Sequence, residues 1–346
     1  MLSRAGEKKT EGIMSFEYIQ AKDIPEAVMM LGKYGDESRI LAGGTELIPN
    51  MRHHAISPKI LISIKPITSL CYIRYGENNA LNIGALTPLR MIERSSEIVR
   101  SHSLVSECVR SIATFQIKNA GTAGGNLCQT VKCYYYNQSH INFFMRQSLE
   151  PCRQRGGSVC HASRVDTFNH AILGKPANGC IATTASDLAT PLLALNACVK
   201  VIGSKGERLI SPEDFFLGGG RTALREDEIV TEVQIPSLAD TTRSTYGKYS
   251  QGTRNFPILN IAVIARLTPD RKFCEDIHAI LGGVSVIPLR LRSVETQFRN
   301  QEISSLDIED ALRDDLPGVR IRGSLSEYKL KRAKTMVSDV IHSVLG

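Results

Sequence analysis

The chain has 346 residues, 42% of them hydrophobic, with a formal charge of +7 dispersed along its length. That length predicts about two domains; no run approaches ~18 apolar residues, which argues against a membrane span, and no Lys/Arg cluster interleaves with aromatics, which argues against nucleic-acid binding. The opening MLSRAGEKKTEGIM is polar and has no apolar core, so it is not a signal peptide; residues 1–13 are expected to be a disordered extension ahead of a structural start at Met14, in a cytoplasmic protein.

In chain order, DIPEAVMML (23–31) predicts a helix capped by Asp23, with Glu26 as capping-box partner. Ile24, Ala27, Val28 and Leu31 share one face, and Gly32 or Gly35 can end it. RILAGG (39–44) predicts a short strand running into glycines, ELIPNMRHH (46–54) a short helix with Pro49 in its first turn, and KILISI (59–64) a strand. Residues 16–65 therefore read helix–strand–helix–strand. ALNIGALTPL (80–89) is strand-like, and SLVSECVRSIA (103–113) reads as a helix with Ser103 as a candidate cap. Residues 114–127 are glycine-rich and 128–180 irregular. DLATPLLALNACVKVIG (187–203) runs from a helix starting at Asp187 into a strand, and DEIVTEVQIP (227–236) is a strand. The polar stretch 237–243 marks a domain boundary. The remainder reads α+β, with strands at 260–267 and 277–285 and a terminal helix over 324–345.

LAGGTEL (41–47) follows a strand, and its glycines permit positive φ and close approach of a ligand. Successive exposed N–H groups there form a concave donor cluster suited to phosphate, with the Thr45 hydroxyl beside them. The same residues also serve as a plain strand–helix turn. NAGTAGGN (119–126) is a second such segment, with Thr122 between glycines. Two of them can grip the two phosphates of one dinucleotide. Neither is a P-loop or a Rossmann GxGxxG. TTASDLATP (183–191) places Ser186 and Asp187 at a helix start, either as an ordinary N-cap or as a carboxylate for a ribose or adenine.

Nine cysteines in a large chain without a secretion signal argue against a disulfide framework. Cys71, Cys108, Cys198 and Cys274 sit in apolar-patterned segments and read as core residues. Cys133, Cys152, Cys160 and Cys180 share one poorly periodic stretch, with Cys128 at its border. Four thiolates suit a [4Fe–4S] cluster or structural zinc, although zinc sites usually show CxxC pairs and this chain has none; unligated thiols are the third reading. His161 and His170 are polar loop residues or donors to a cluster sulfur.

AGGTEL, IKNAGTAGGNL and SDLATPLLALNA occur in this order, with GALTPL (84–89), FFLGGGRTALREDEIV (215–230), FPILNIAVIARL (256–267), ILGGVSVIPLR (280–290) and EYKLKRAKTMV (327–337). Together they resemble the FAD-binding medium subunit of the molybdenum hydroxylases, the xanthine dehydrogenase and carbon monoxide dehydrogenase flavoprotein family, from about Met14 to the C-terminus. The resemblance implies an α+β fold: a two-part, PCMH/VAO-like FAD-binding domain over 14–237 and a C-terminal α+β domain over 243–346. The first splits into a small α/β piece (14–65) and a larger α+β piece (66–237). It implies FAD pyrophosphate on Ala42, Gly43, Gly44, Thr45, Glu46 and Leu47 and on Gly121, Thr122, Gly125 and Asn126. Asp187, next to Ser186, would contact ribose or adenine, and Leu224 would pack against the flavin. Lys248 matches a lysine near the flavin ring; its other reading is a solvated surface lysine.

In that family the second glycine segment leads within a few residues to the Ser-Asp motif, whereas here residues 128–182 intervene. KCYYYNQS (132–139), PCRQRGGSVCHA (151–162) and a later cysteine resemble the insertion of the 4-hydroxybenzoyl-CoA reductase flavoprotein subunit, which carries an additional [4Fe–4S] cluster. The ligands implied are Cys133, Cys152, Cys160 and Cys180, with Cys128 as competitor to Cys133; the gap from Cys160 to Cys180 is longer than the reductase pattern. The function implied is electron transfer. This chain's FAD would exchange electrons with a [2Fe–2S] small subunit beside a molybdopterin-binding large subunit, and with ferredoxin or NAD(H) outside. No catalytic acid, base or nucleophile is assigned. A self-sufficient FAD oxidoreductase and a scaffold that has lost FAD are the alternatives, and the intact glycine segments speak against the second.

Overall fold

The computed structural model describes residues 15–137, 150–252, 254–319 and 323–346. The expected extension over 1–13 and the middle of the cysteine insertion, 138–149, lie outside the described residues.

The N-terminal sheet is parallel, in the order β1 (Glu17–Gln20), β3 (Ile60–Ser63), β2 (Ser38–Leu41). β1 was not legible because EYIQ shows no apolar alternation and is largely exposed; its main chain is recruited by the buried strand ILIS beside it. The helix Ile24–Tyr34 buries Ala27, Val28 and Leu31 and ends at Gly35, φ 47°. The Asp23 side chain accepts from Glu26 N at 2.8 Å. Glu26 reaches back to Lys22 N at 2.7 Å, one residue before the expected capping-box donor.

The central sheet is antiparallel. Its strands are β4 (Ile73–Tyr75), β5 (Leu81–Gly84), β6 (Cys198–Gly203), β7 (Gly206–Ile210) and, after a small hairpin of β8 (Phe216–Gly218) and β9 (Arg221–Thr222), β10 (Ile229–Ile235). The order is β4–β5–β10–β6–β7. Helix Ser103–Ser111 belongs to the same hydrophobic core and buries Leu104, Val105, Cys108 and Val109. Ser103 lies inside that helix and His102 is the cap residue, which corrects the expected cap. Cys108 and Cys274 are buried as expected, whereas Cys71 is exposed and Cys198 half-buried.

The C-terminal sheet runs β11 (Thr242–Tyr249), β12 (Leu259–Leu267), β13 (Phe273–Gly282), β14 (Leu289–Arg290), with β15 (Gln301–Glu302) on β13. Helix Ser324–Leu345 lies across it and buries Ala333, Val337 and Ile341 completely. The helix Ala189–Ala194 is buried along its whole length and packs on β12 and β13. Its last carbonyls are satisfied from that sheet: Ala194 O lies 2.8 Å from His278 Nδ1, and Leu193 O accepts from Arg290 Nη2 at 3.1 Å. Donors and cations suit a helix C-terminus, where carbonyls are left over and the dipole is negative.

The described part of the insertion carries short helical turns at Tyr134–Asn137, Arg153–Arg155 and His161–Arg164 and is pinned to the terminal helix. Gly323 offers no capping side chain to the terminal helix. Asp166 of the insertion takes over, accepting from Leu325 N at 2.8 Å, Ser326 N at 3.0 Å and Ser326 Oγ at 2.7 Å. The Ser326 hydroxyl is the main cause that holds the Asp166 carboxyl below its ordinary value. The stability it contributes is therefore present above the usual carboxylate range near ~4 and is lost as pH falls through the lowered pKa. Asp166→Ala is expected to lower the melting temperature at neutral pH, with the gap to wild type closing in acid. A gap that persists unchanged in acid would contradict the cap.

Candidate functional site

Residues 42–46 turn the chain from β2 into the helix Leu47–Arg52. Gly44 has φ 71°, a conformation costly for a side-chain residue. The main-chain N–H groups of Ala42, Gly43, Gly44, Thr45 and Glu46 have no acceptor among the described residues. They form a row of free donors on half-buried residues, the arrangement that binds anionic oxygens.

The second glycine segment packs directly on the first. A Cβ at Gly43 would sit 2.0 Å from Ala120 O, and one at Gly121 would sit 3.4 Å from Thr45 Oγ1. The second segment is not an open loop: residues Phe115–Ala120 and Ala123–Leu127 are helical turns, and Thr122 caps the latter. Thr122 Oγ1 accepts from Gly125 N at 3.1 Å, while Ala123 N and Gly124 N donate to Thr87 O and Ala85 O. Its donors are mostly used within the fold, so it walls the cradle and leaves the free N–H row to the first segment. Asn126 Oδ1 accepts from Ser186 Oγ at 2.7 Å, which joins the third motif to the second.

Asp187, next in the chain, is 2% exposed and pairs with Lys248 Nζ at 2.9 Å. Lys248 also donates to Ser111 O at 3.0 Å, and Asp187 Oδ1 lies 3.4 Å from Tyr246 OH. Asn260 Nδ2 donates to Tyr246 OH and to Thr190 Oγ1, each at 3.2 Å. Burial raises the Asp187 carboxyl, and the Lys248 charge opposes that rise. Asp187 makes no capping bond to its helix, and Lys248 is a buried ion-pair partner rather than a solvated lysine. Leu224 is half-buried against the central core.

Cys133, Cys152, Cys160 and Cys180 line one cavity, with Val131, Tyr136 and Ala162 beside them. Cys128 is exposed and lies outside that lining. The Gly-Gly between Cys152 and Cys160 has a specific role. Gly156 takes φ 86°, and a Cβ at Gly157 would lie 1.6 Å from Pro151 O, so the turn closes only with glycine. It pairs Cys152 with Val159 and brings Cys160 alongside. Gly179, φ 76°, delivers Cys180 in the same way. The Ala182 N–H donates to Cys180 Sγ at 3.5 Å. His170 Nε2 lies 3.2 Å from Cys133 Sγ, whereas His161 Nε2 lies 2.8 Å from Glu150 O. Burial pushes the Cys133 thiol up to about 11, and the neighbouring Cys180 holds Cys160 down. Among the described residues no three His, Cys, Asp or Glu side chains converge on one metal-ion position.

Two connections between the cradle and the cysteine cavity were not read from the sequence. Glu46 accepts from Thr130 Oγ1 at 2.5 Å and Asn50 Nδ2 at 3.0 Å and forms an ion pair with Lys132, the residue before Cys133. Gly218, Gly219 and Gly220 all have positive φ, and a Cβ at Gly219 would lie 2.6 Å from Gln154 Nε2 and 3.5 Å from Cys180 Cβ. The signal for the second was the triple glycine itself; the first pairs residues too distant in sequence to be matched by pattern.

Residues 14–238 match the family described as the FAD binding domain in molybdopterin dehydrogenase. The alpha subunit of the 6-hydroxypseudooxynicotine dehydrogenase complex of Paenarthrobacter nicotinovorans is 25% identical over 96% of this chain and 95% of its own length. The carbon monoxide dehydrogenase medium chain of Hydrogenophaga pseudoflava is 25% identical over 95% of this chain and 96% of its own. A solved carbon monoxide dehydrogenase from Hydrogenophaga pseudoflava shares the fold with TM-score 0.75 at 23% identity, covering 95% of this chain and 97% of that one. Quinoline 2-oxidoreductase from Pseudomonas putida 86 does so with TM-score 0.72 at 17% identity, covering 96% and 97%.

Removing one partner of a buried ion pair leaves a charge without compensation, at a cost of ~3–5 kcal/mol, while replacing both is close to neutral. Lys248→Met is expected to lower the unfolding free energy by that amount, read from denaturant melts, and the Asp187→Asn/Lys248→Met double variant to recover most of it. Additive losses in the double variant would show that the two side chains do not act as a pair.

Proposed function

The chain belongs to the family of FAD-binding domains of molybdopterin dehydrogenases, and on that premise we propose that it is the electron-transfer flavoprotein subunit of such an oxidoreductase complex. It would work beside a molybdopterin-binding large subunit and a [2Fe–2S] small subunit and exchange electrons with an external carrier such as ferredoxin or NAD(H). The names of its relatives, a complex subunit and a medium chain, accord with that arrangement. The observation that carries the reading is the row of free N–H donors at 42–46 against Gly121. It fits a pyrophosphate: the donors are unpaired, and the glycines keep Cβ atoms out of the space.

FAD, when bound, supplies two-electron exchange with a soluble donor and one-electron exchange with iron–sulfur centres. The protein residues bind and orient. The N–H groups of 42–46, the start of the helix at Leu47 and the Thr45 hydroxyl would hold the pyrophosphate. Gly121, Thr122, Gly125 and Asn126 would form the opposite wall, with Ser186 fixing the Asn126 amide. Leu224 would lie against the flavin. Lys248 would present its charge from a position set by Asp187, and a ribose or adenine contact at Asp187 would be shared with that pair. The two-domain division at 237–243 belongs to the same reading.

A second part of the proposal concerns the insertion. Cys133, Cys152, Cys160 and Cys180 would hold a [4Fe–4S] cluster, which matches their likeness to the 4-hydroxybenzoyl-CoA reductase insertion. Four cysteines lining one cavity, in a chain without CxxC pairs, suit a [4Fe–4S] cluster, for which four thiolates are the usual complement, better than a single zinc ion.

The test is flavin, iron and zinc content of the anaerobically purified and reconstituted chain. About one FAD and about four irons per chain are expected. Protein that takes up no FAD overturns the flavoprotein reading; zinc in place of iron overturns the cluster and leaves the flavoprotein standing. Gly43→Ala forces a Cβ to within 2.0 Å of Ala120 O. It is expected to weaken FAD retention on the order of tenfold or more, read as the flavin-to-protein ratio, with iron content unchanged.

A further inference from the structure

Two buried polar groups, one in the insertion and one on the terminal helix, are required by neither the cradle nor the four thiols. His170 is 4% exposed, with Nε2 3.2 Å from Cys133 Sγ and Nδ1 buried without a partner among the described residues. Its backbone is locked in place, since it bridges to Ala182 while Ala171 N donates to Ile181 O at 2.8 Å, directly after Cys180. Lys329, on the terminal helix, is 1% exposed. Its Nζ donates to Phe168 O at 2.6 Å and to His170 O at 2.9 Å, and no carboxylate pairs with it among the described residues. A buried ammonium without a counter-charge is expensive, and burial pulls Lys329 down to about 7.

We propose that His170 and Lys329 are positioning residues that raise the reduction potential of the cluster held by the four cysteines, an inference that rests on the cluster reading above. A ligating thiolate carries no proton and only accepts. The His170 ring must then bear its proton on Nε2, which leaves Nδ1 as the bare nitrogen. That is the atom found buried and unpaired, a cost a purely structural histidine would not need to carry. Lys329 fixes the His170 main chain and so ties a buried amine, cationic below about pH 7, to the residue that meets the Cys133 sulfur. Hydrogen bonds to sulfur and net local charge are levers on cluster potential. Both act in one direction, because reduction adds negative charge that a donor and a cation stabilise.

The experiment is an EPR-monitored potentiometric titration of the full chain, reconstituted anaerobically, comparing wild type with His170→Leu and Lys329→Met. Both variants are expected to keep about four irons and to show lowered midpoints. His170→Leu should shift the reduction equilibrium on the order of tenfold, ~59 mV for one electron. Unchanged midpoints in iron-loaded variants overturn this inference and leave the cluster intact. Wild-type protein that takes up no iron overturns the cluster and this inference with it. Where one variant loses its iron the other decides; loss from both, with wild type loaded, replaces the tuning role with a structural one.

Discussion

The buried ion pair between Asp187 and Lys248 is the constraint on which the arrangement of the site depends. Its two charges come from different elements, Asp187 from the helix start that follows the insertion and Lys248 from β11. Two charges out of water are tolerated only with close geometry and further partners; Tyr246, Ser111, Asn260 and Thr190 complete the network. This fixes one end of the helix Ala189–Ala194 on the C-terminal sheet, and His278 and Arg290 fix the other. The helix cannot shift without exposing a charge at one end or orphaned carbonyls at the other.

From that anchor the cradle follows by contact. Ser186 precedes Asp187 and holds Asn126; Asn126 ends the helical turn that begins after Gly121; Gly121 and Ala120 lie against Gly43. Three motifs far apart in the chain therefore meet because each rests on the next. Gly43 is needed for a steric reason: any side chain there would strike the Ala120 carbonyl. The donors at 42–46 stay free among the described residues because the one carbonyl that meets them, Ala120 O against Gly43, accepts from none of them.

Much of this was legible in residue types and little in pairings. The terminal helix, β3, β5, β10 and the helix beginning at Ile24 follow from periodicity and capping, and the four cysteines could be grouped because they share an irregular stretch. β4 and β11 were hidden because IRY is short and TRSTYGKY is half-buried throughout, so neither shows an apolar alternation. The helical character of 115–127 was hidden by its glycines, whose low helix propensity is outweighed by the Thr114 and Thr122 caps and by packing on Thr87 and Ala85. The Asp187–Lys248 and Glu46–Lys132 pairs join residues from separate elements, and charge alone does not say which of many lysines closes each pair.

Among the described residues, the apolar cluster around the cysteines is small, with Val131, Tyr136 and Ile181 as its larger members. Its order is borrowed. Glu46 of the cradle holds Lys132 at its entry, the triple-glycine hairpin seats against Gln154 and Cys180, and the terminal helix holds Asp166, Phe168 and His170. Each clamp comes from a different part of the fold, so the thiol ring is defined by the whole chain rather than by its own segment. With the proposed cluster bound, the free energy of metal binding would also be free energy of local folding. Filling the ring would tighten every clamp, and the clamp at Glu46 lies at the edge of the cradle. The cradle and the thiol ring are in this sense one structure built from two sides of the same contacts.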